Sequence, residues 1–237
     1  MLHLSEAVIL LTGADGGIGS ALLHEFVARG ARKIYAAGLS AKNLEPLAAQ
    51  YPGIVTPLVL DVTDDFAIAQ AVAQTQDVNL LVNNAGIELK SFFIGEQAAQ
   101  KALFEMKVNY IGVISLINQY LPVLQQQAPA GIMNILSVGS TAVIKRLGTY
   151  CASKSATHLL TQSIRAELKE AGIGVTGVYP GYVDTAMSAD ITYEKASPTT
   201  LAQRICDAYE AGEEDIFPDR MSEEFYARQP ITVTYLN

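Results

Sequence analysis

Six apolar runs constrain how this 237-residue chain can fold. Ala7–Leu11, Lys33–Ala37, Ile54–Leu60, Asn79–Val82, Ile132–Leu136 and Val175–Tyr179 read as strands, apolar at consecutive positions and not at every second one. A strand that is apolar on both faces must be covered on both, and this is the pattern of a buried parallel sheet. Helical patterns fall between the runs, at about 17–29, 41–50, 64–75, 98–126 and 149–171. Parallel neighbours joined by helices require right-handed crossovers. The expected fold is therefore α/β: a doubly wound parallel sheet in three α/β/α layers, of the Rossmann type.

No linker, repeat or low-complexity tract interrupts the alternation, so residues 1–237 are expected to form a single domain. A short substrate-loop region is expected at about 186–198, followed by a helix near Pro198–Ala211. A variable tail begins at about 212, and its Glu213-Glu214-Asp215 run reads as a solvated turn. Half the residues are hydrophobic and 17% are charged, which separates a compact globular chain from a disordered one. The net charge of −8 argues against nucleic acid or an anionic membrane as partner, since both demand basic patches. No run reaches the length of a membrane span. The first residues lack a basic start followed by an apolar core, so a cytoplasmic location is expected. Cys151 and Cys206 are too few for a disulfide framework. His3, His24 and His158 have no metal-ligand spacing, and no metal site is expected.

The first strand runs into Thr12-Gly13-Ala14-Asp15-Gly16-Gly17-Ile18-Gly19. The order strand, glycine turn, helix is the setting a dinucleotide fingerprint needs. Gly13 and Gly17 let the backbone approach a pyrophosphate, and Gly19 permits close helix–strand packing. The helix N-terminus favours the anion.

Tyr150 and Lys154 are four residues apart on a helical stretch and so share one face. A free phenol is a poor acid or base at neutral pH, with a pKa near ~10. A neighbouring ammonium favours the phenolate and is expected to pull that value down. The pair would then exchange a proton with a carbonyl or an alcohol.

Several motifs join this pair in order: the glycine turn in its Thr-Gly-x-x-x-Gly-Ile-Gly spacing, Asn83-Asn84-Ala85-Gly86, Ser137 thirteen residues before Tyr150, and Pro180-Gly181. Together they closely resemble the short-chain dehydrogenase/reductase family in its compact single-domain branch, over about residues 5–211. The resemblance implies hydride transfer between a nicotinamide cofactor and a ketone, aldehyde or alcohol. It assigns catalytic roles to Asn109, Ser137, Tyr150 and Lys154. Ser137 would polarise the carbonyl, and Lys154 would also bind the nicotinamide ribose. Asn109 would lie at a helix irregularity that holds a water leading to the lysine. Asp61 and Val62 would meet the adenine, and Asn83–Gly86 would brace the sheet and line the cofactor. After Pro180-Gly181, the Val183 backbone and Thr185 would hold the carboxamide. The main alternative is a non-catalytic nucleotide-binding regulator on the same fold. A dehydratase or epimerase would need more chain.

Cofactor choice is expected just after the second strand, where an acid binds a ribose 2′-hydroxyl and an arginine a 2′-phosphate. Gly38-Leu39-Ser40 offers neither. Asp15 lies close by, would repel a 2′-phosphate and could accept from a ribose hydroxyl. NAD(H) is therefore favoured over NADP(H), which Ser40 and Lys42 keep open. The substrate pocket is expected to involve Glu88, Val138–Val143, Lys145, Tyr182 and Met187, mostly apolar and open. A homodimer is expected through the helices at 98–126 and 149–171, with Ile111, Val113, Leu116 and Leu160 facing outward. A tetramer remains an option.

Overall fold

The structure is a computed structural model and describes residues 2–231. Seven strands form one parallel sheet: β1 (Val8–Thr12), β2 (Lys33–Gly38), β3 (Val55–Val59), β4 (Leu80–Asn83), β5 (Ala130–Ile135), β6 (Ile173–Val178) and β7 (Asp215–Ile216). Their order across the sheet is β3-β2-β1-β4-β5-β6-β7. The chain reverses its direction of travel between β1 and β4, and a crevice opens there beyond the strand ends.

The helices are α1 (Gly17–Ala28), α2 (Ala41–Gln50), α3 (Asp65–Gln74), α4 (Ala98–Met106), α5 (Gly112–Gln126), α6 (Gly148–Leu168), α7 (Pro198–Ala211) and α8 (Arg220–Arg228). Helices α1, α2 and α7 cover one face of the sheet, with Leu22, Phe26, Leu44 and Ile205 packed on β1 and β4 side chains. Helices α3, α5 and α6 cover the other face through Ile68, Leu116, Tyr120 and Ile164. Consecutive residues of β1 and β5 are all buried, as strands covered on both faces must be.

Three expectations need correction. The pattern at 98–126 is not one helix: Lys107–Ile111 forms a π-turn between α4 and α5. Val113 and Leu116 on α5 point into the core, and Leu160 on α6 packs against it. The outward apolar residues are Leu103, Phe104, Ile111 and Leu159. Finally, Asp215 belongs to β7, not to a solvated turn. Its carboxylate accepts from Arg165 Nη2 at 2.8 Å and from the Tyr179 hydroxyl at 3.2 Å. The tail beyond residue 231 lies outside the described residues. Among the described residues no helix is long and apolar enough to cross a membrane.

Candidate active site

The cleft lies at the carboxyl ends of β1, β4, β5 and β6. Its walls include Ile18, Asn84, Gly86, Ser137, Tyr150, Lys154, Pro180, Gly181, Val183 and Thr185, which the sequence spreads over 168 positions.

Hydrogen bonds lock the glycine turn to the neighbouring strand end. The Thr12 hydroxyl accepts from the backbone amides of Asn84 at 3.0 Å and Ala85 at 3.1 Å. Asn84 Nδ2 donates to the carbonyls of Thr12 at 2.8 Å and Gly13 at 3.0 Å. Gly13 adopts φ +62°, a conformation glycine takes without a Cβ penalty. A Cβ on Gly19 would stand 2.1 Å from the Gly13 carbonyl oxygen, so only glycine lets α1 begin this close to the turn. The first amides of α1 have no partner within the helix, and its first turn carries no acid. A pyrophosphate fits this donor set.

Asn83 is turned the other way. Its Nδ2 donates to Asn134 Oδ1 at 2.8 Å, and Asn134 in turn donates to Thr161 on α6. It braces β4 to β5 and is not part of the cleft wall. Asp61 caps its own turn, accepting from the Thr63 amide and hydroxyl at 2.8 Å each. Val62 is buried, and its carbonyl lies against Gly112. Leu39 is 72% exposed at the end of β2. Asp15 reaches the same strand end: a Cβ built on Gly38 would lie 2.8 Å from Asp15 Oδ1. Asn43 Nδ2 holds the other carboxylate oxygen at 3.0 Å.

Tyr150 and Lys154 share the inner face of α6, and both are buried. Lys154 Nζ donates to the Ile135 carbonyl at 2.8 Å and stands 5.9 Å from the Tyr150 ring centre. The phenol pKa moves against the expected direction. Burial pushes the Tyr150 hydroxyl well above its ordinary value, Glu88 adds to the rise, and the Ser137 side chain opposes it. Burial also lowers the Lys154 ammonium to about 8. Desolvation of two buried groups outweighs the attraction of one for the other.

Ser137 ends the β5 segment and caps a single 3₁₀ turn. Its Oγ accepts from the Gly139 amide at 3.0 Å, and its own amide donates to Ser140 Oγ at 3.1 Å. Asn109 sits in the π-turn. Its Oδ1 accepts from the Ile87 amide at 2.8 Å, while its Nδ2 donates to the Ile87 carbonyl and to Ser153 Oγ, each at 2.9 Å. A Cβ on Gly86 would stand 3.2 Å from Asn109 Oδ1 and 3.5 Å from Lys154 Nζ, so the strand end passes closely over both.

The substrate end differs in part from expectation. Glu88, Val138, Tyr182 and Met187 line the cleft, joined by Ile144 and Leu147. Val143 is 90% exposed and Lys145 points to solvent, because the short loop before α6 turns Ile144 inward. The mouth is crossed by charge: Asp190 on the loop after β6 pairs with Lys90, and its other oxygen lies 3.5 Å from Arg146.

Two buried acids support the cleft from behind. Asp219, at the N-cap of α8, accepts from the Gly181 amide at 2.7 Å. Glu105 accepts from the Leu89 amide at 2.7 Å. The Asp219-x-x-Ser222 capping pattern was a readable signal for the first. Glu105 lies in an ordinary helical pattern that carries no such mark. Among the described residues no cluster of metal ligands is present.

The short chain dehydrogenase family model matches residues 7–196, and the chain belongs to this family. A relative from Staphylococcus saprophyticus, named as an uncharacterized oxidoreductase, is 31% identical over 86% of this chain and 91% of its own. A dehydrogenase/reductase SDR family protein 7-like from Anopheles gambiae is 32% identical, covering 90% of this chain and 75% of its own. The crystal structure of a short chain dehydrogenase from Burkholderia cenocepacia in complex with NADP superposes with a TM-score of 0.88 at 29% identity, over 96% of this chain and 94% of that one. A relative from Burkholderia phymatum in complex with NAD has a TM-score of 0.82 at 23% identity, covers both chains fully and bears on the fold alone.

Proposed function

We propose that this protein is a nicotinamide-dependent oxidoreductase that interconverts a carbonyl and an alcohol, with Tyr150 moving the proton. The observation that carries the reading is the convergence of Ser137, Tyr150 and Lys154 on a cleft walled by the glycine turn, Asn84–Gly86 and the Pro180–Thr185 segment. A regulator that only bound nucleotide would have no use for a buried phenol and ammonium beside an acceptor pocket. The oxidoreductase name of the Staphylococcus relative points the same way.

A bound nicotinamide supplies or receives the hydride. The chain performs the rest. Ser137, fixed by its 3₁₀ cap, donates toward the substrate oxygen and steadies negative charge there. Tyr150, kept protonated by burial, gives its proton to that oxygen during reduction and takes it back during oxidation. Lys154 places a cation behind the phenol and reaches toward the Gly86 strand end, where a ribose would lie. Asn109 holds the Ile87 backbone, so the β4 end cannot drift from this centre.

NAD(H) is the preferred cofactor in this reading. The Asp15 carboxylate occupies the space a side chain at Gly38 would fill, beside the ribose 2′ position. A homodimer through α4, α5 and α6 accords with the exposed Leu103, Phe104, Ile111 and Leu159.

The deciding experiment is a screen of ketones and alcohols with each cofactor, following nicotinamide absorbance, for the native chain and Tyr150→Phe. The variant is expected to lose at least about a thousandfold in kcat while cofactor affinity stays within about twofold. Near-normal turnover in the variant sinks the assignment.

A further inference from the structure

We propose that Glu88 is the specificity-determining carboxylate of the cleft, and that it selects substrates carrying a hydrogen-bond donor, a hydroxyl or a protonated amine, next to the reacting carbon. The inference rests on the oxidoreductase reading above and narrows its substrate class.

Three observations carry it. Glu88 lines the same cleft as Ser137, Tyr150 and Tyr182, and its charge is felt at the Tyr150 phenol. Its carboxylate is half-buried there, yet among the described residues it makes no hydrogen bond and no ion pair. A carboxylate withdrawn from water without a partner is costly, and burial accordingly raises its proton affinity.

The nearby cations relieve it only in part. Lys90 and Arg146 are the positive groups that influence Glu88, and both are directed to Asp190 across the mouth. Asp190 therefore draws off the cations that would otherwise neutralise the pocket acid. The second nearby acid, Glu105, is turned to the Leu89 amide.

The backbone around Glu88 is held on both sides. Asn109 grips the Ile87 amide and carbonyl at 2.8 and 2.9 Å, and Glu105 accepts from the Leu89 amide at 2.7 Å. Both grips come from the segment spanning α4 and the π-turn. The backbone that carries Glu88 is thereby held beside the cleft. An acceptor anchored beside a reactive centre suits donor recognition, because a substrate lacking the donor leaves the acid unpaired. Ile144, Leu147 and Met187 make the neighbouring wall apolar, and Glu88 is the one carboxylate among the described lining residues.

The test uses three alcohols of matched shape: 1-amino-2-propanol, 1,2-propanediol and 2-butanol, which present an ammonium, a hydroxyl or a methyl at one position. Oxidation is measured for the native chain, Glu88→Gln and Glu88→Asp. Binding of each alcohol to the enzyme with NADH is read by saturation-transfer NMR. The native enzyme is expected to favour a donor-bearing alcohol over 2-butanol by about tenfold or more in kcat/KM. Glu88→Gln should collapse the ammonium preference to within about twofold, and Glu88→Asp should retain part of it. Loss of the ammonium preference in Glu88→Gln with a hydroxyl preference retained assigns the recognition of the charged donor to the Glu88 carboxylate. Turnover with no donor preference, or a preference unchanged in Glu88→Gln, overturns the role of Glu88 alone. Donor-selective binding without turnover overturns the oxidoreductase reading alone. Neither turnover nor selective binding overturns both.

Discussion

Lys154 makes a prediction that needs no substrate. Its ammonium titrates near 8 in the folded protein, against 10.5 for an ordinary lysine, and burial is the cause. Between those values the folded chain binds fewer protons than the unfolded one, so stability rises with pH, opposite to the behaviour of a lysine that gains a salt-bridge partner. The linkage relation puts the destabilisation from keeping Lys154 charged at about 3 kcal/mol at pH 7 and about 2 kcal/mol at pH 9. The difference, about 1 kcal/mol, is the stability gained over that window. Guanidinium unfolding of the cofactor-free protein at pH 7 and pH 9, compared with Lys154→Met, isolates it. The slope is read within each protein, so any uniform change caused by the substitution cancels, as do the buried tyrosines and cysteines common to both. The native chain should gain about 1 kcal/mol more than the variant between the two pH values. Parallel pH dependences would refute the argument and mean that the ammonium is solvated or paired.

Further expectations concern cofactor choice, the tail and assembly. Asp15→Ser should raise the NADP:NAD ratio of kcat/KM by about tenfold, through loss of repulsion between a carboxylate and a 2′-phosphate. An unchanged ratio would dismiss the charge argument. Asp219→Ala removes a helix cap and the acceptor of the Gly181 amide, which together should cost about 2–4 kcal/mol and lower the thermal midpoint by about 5–15 °C. A melting point within a degree of the native value would show that the Pro180–Gly181 segment is held by other means. Leu103→Glu combined with Leu159→Glu should halve the mass seen by light scattering; an unaltered mass places the interface elsewhere.

Much of the fold and site was legible because it rests on patterns that repeat. Six of the seven strands announce themselves as apolar runs, although β3 at the sheet edge exposes three of its five residues, and the glycine turn announces itself by its position after the first of them. The seventh strand is two residues long and begins with an aspartate, too short and too polar to register by hydropathy. The π-turn at Lys107–Ile111 falls where the resemblance implied an irregularity at Asn109. Val113 and Leu116 lie about 60° apart on a helix and both more than about 100° from the exposed Ile111, so they belong to the opposite, buried face. Asn83 and Asn84 are adjacent and chemically identical, and only the alternation of strand faces decides that one braces the sheet and the other grips the glycine turn. The pKa of Tyr150 was misjudged because spacing reveals the neighbour but not the depth of burial. Glu105 and Glu88 are ordinary acids in sequence; their importance comes from what packs around them.

The bond between Asp219 and the Gly181 amide also bears on the order in which the chain becomes competent. The glycine turn emerges before the Tyr150–Lys154 helix, yet the loop that would hold the nicotinamide end is anchored by Asp219, which emerges after both. A nascent chain that has not yet produced α8 would hold a pyrophosphate cradle and a proton-transfer pair but no secured floor between them. Tight cofactor capture is thereby deferred until α8 has been made.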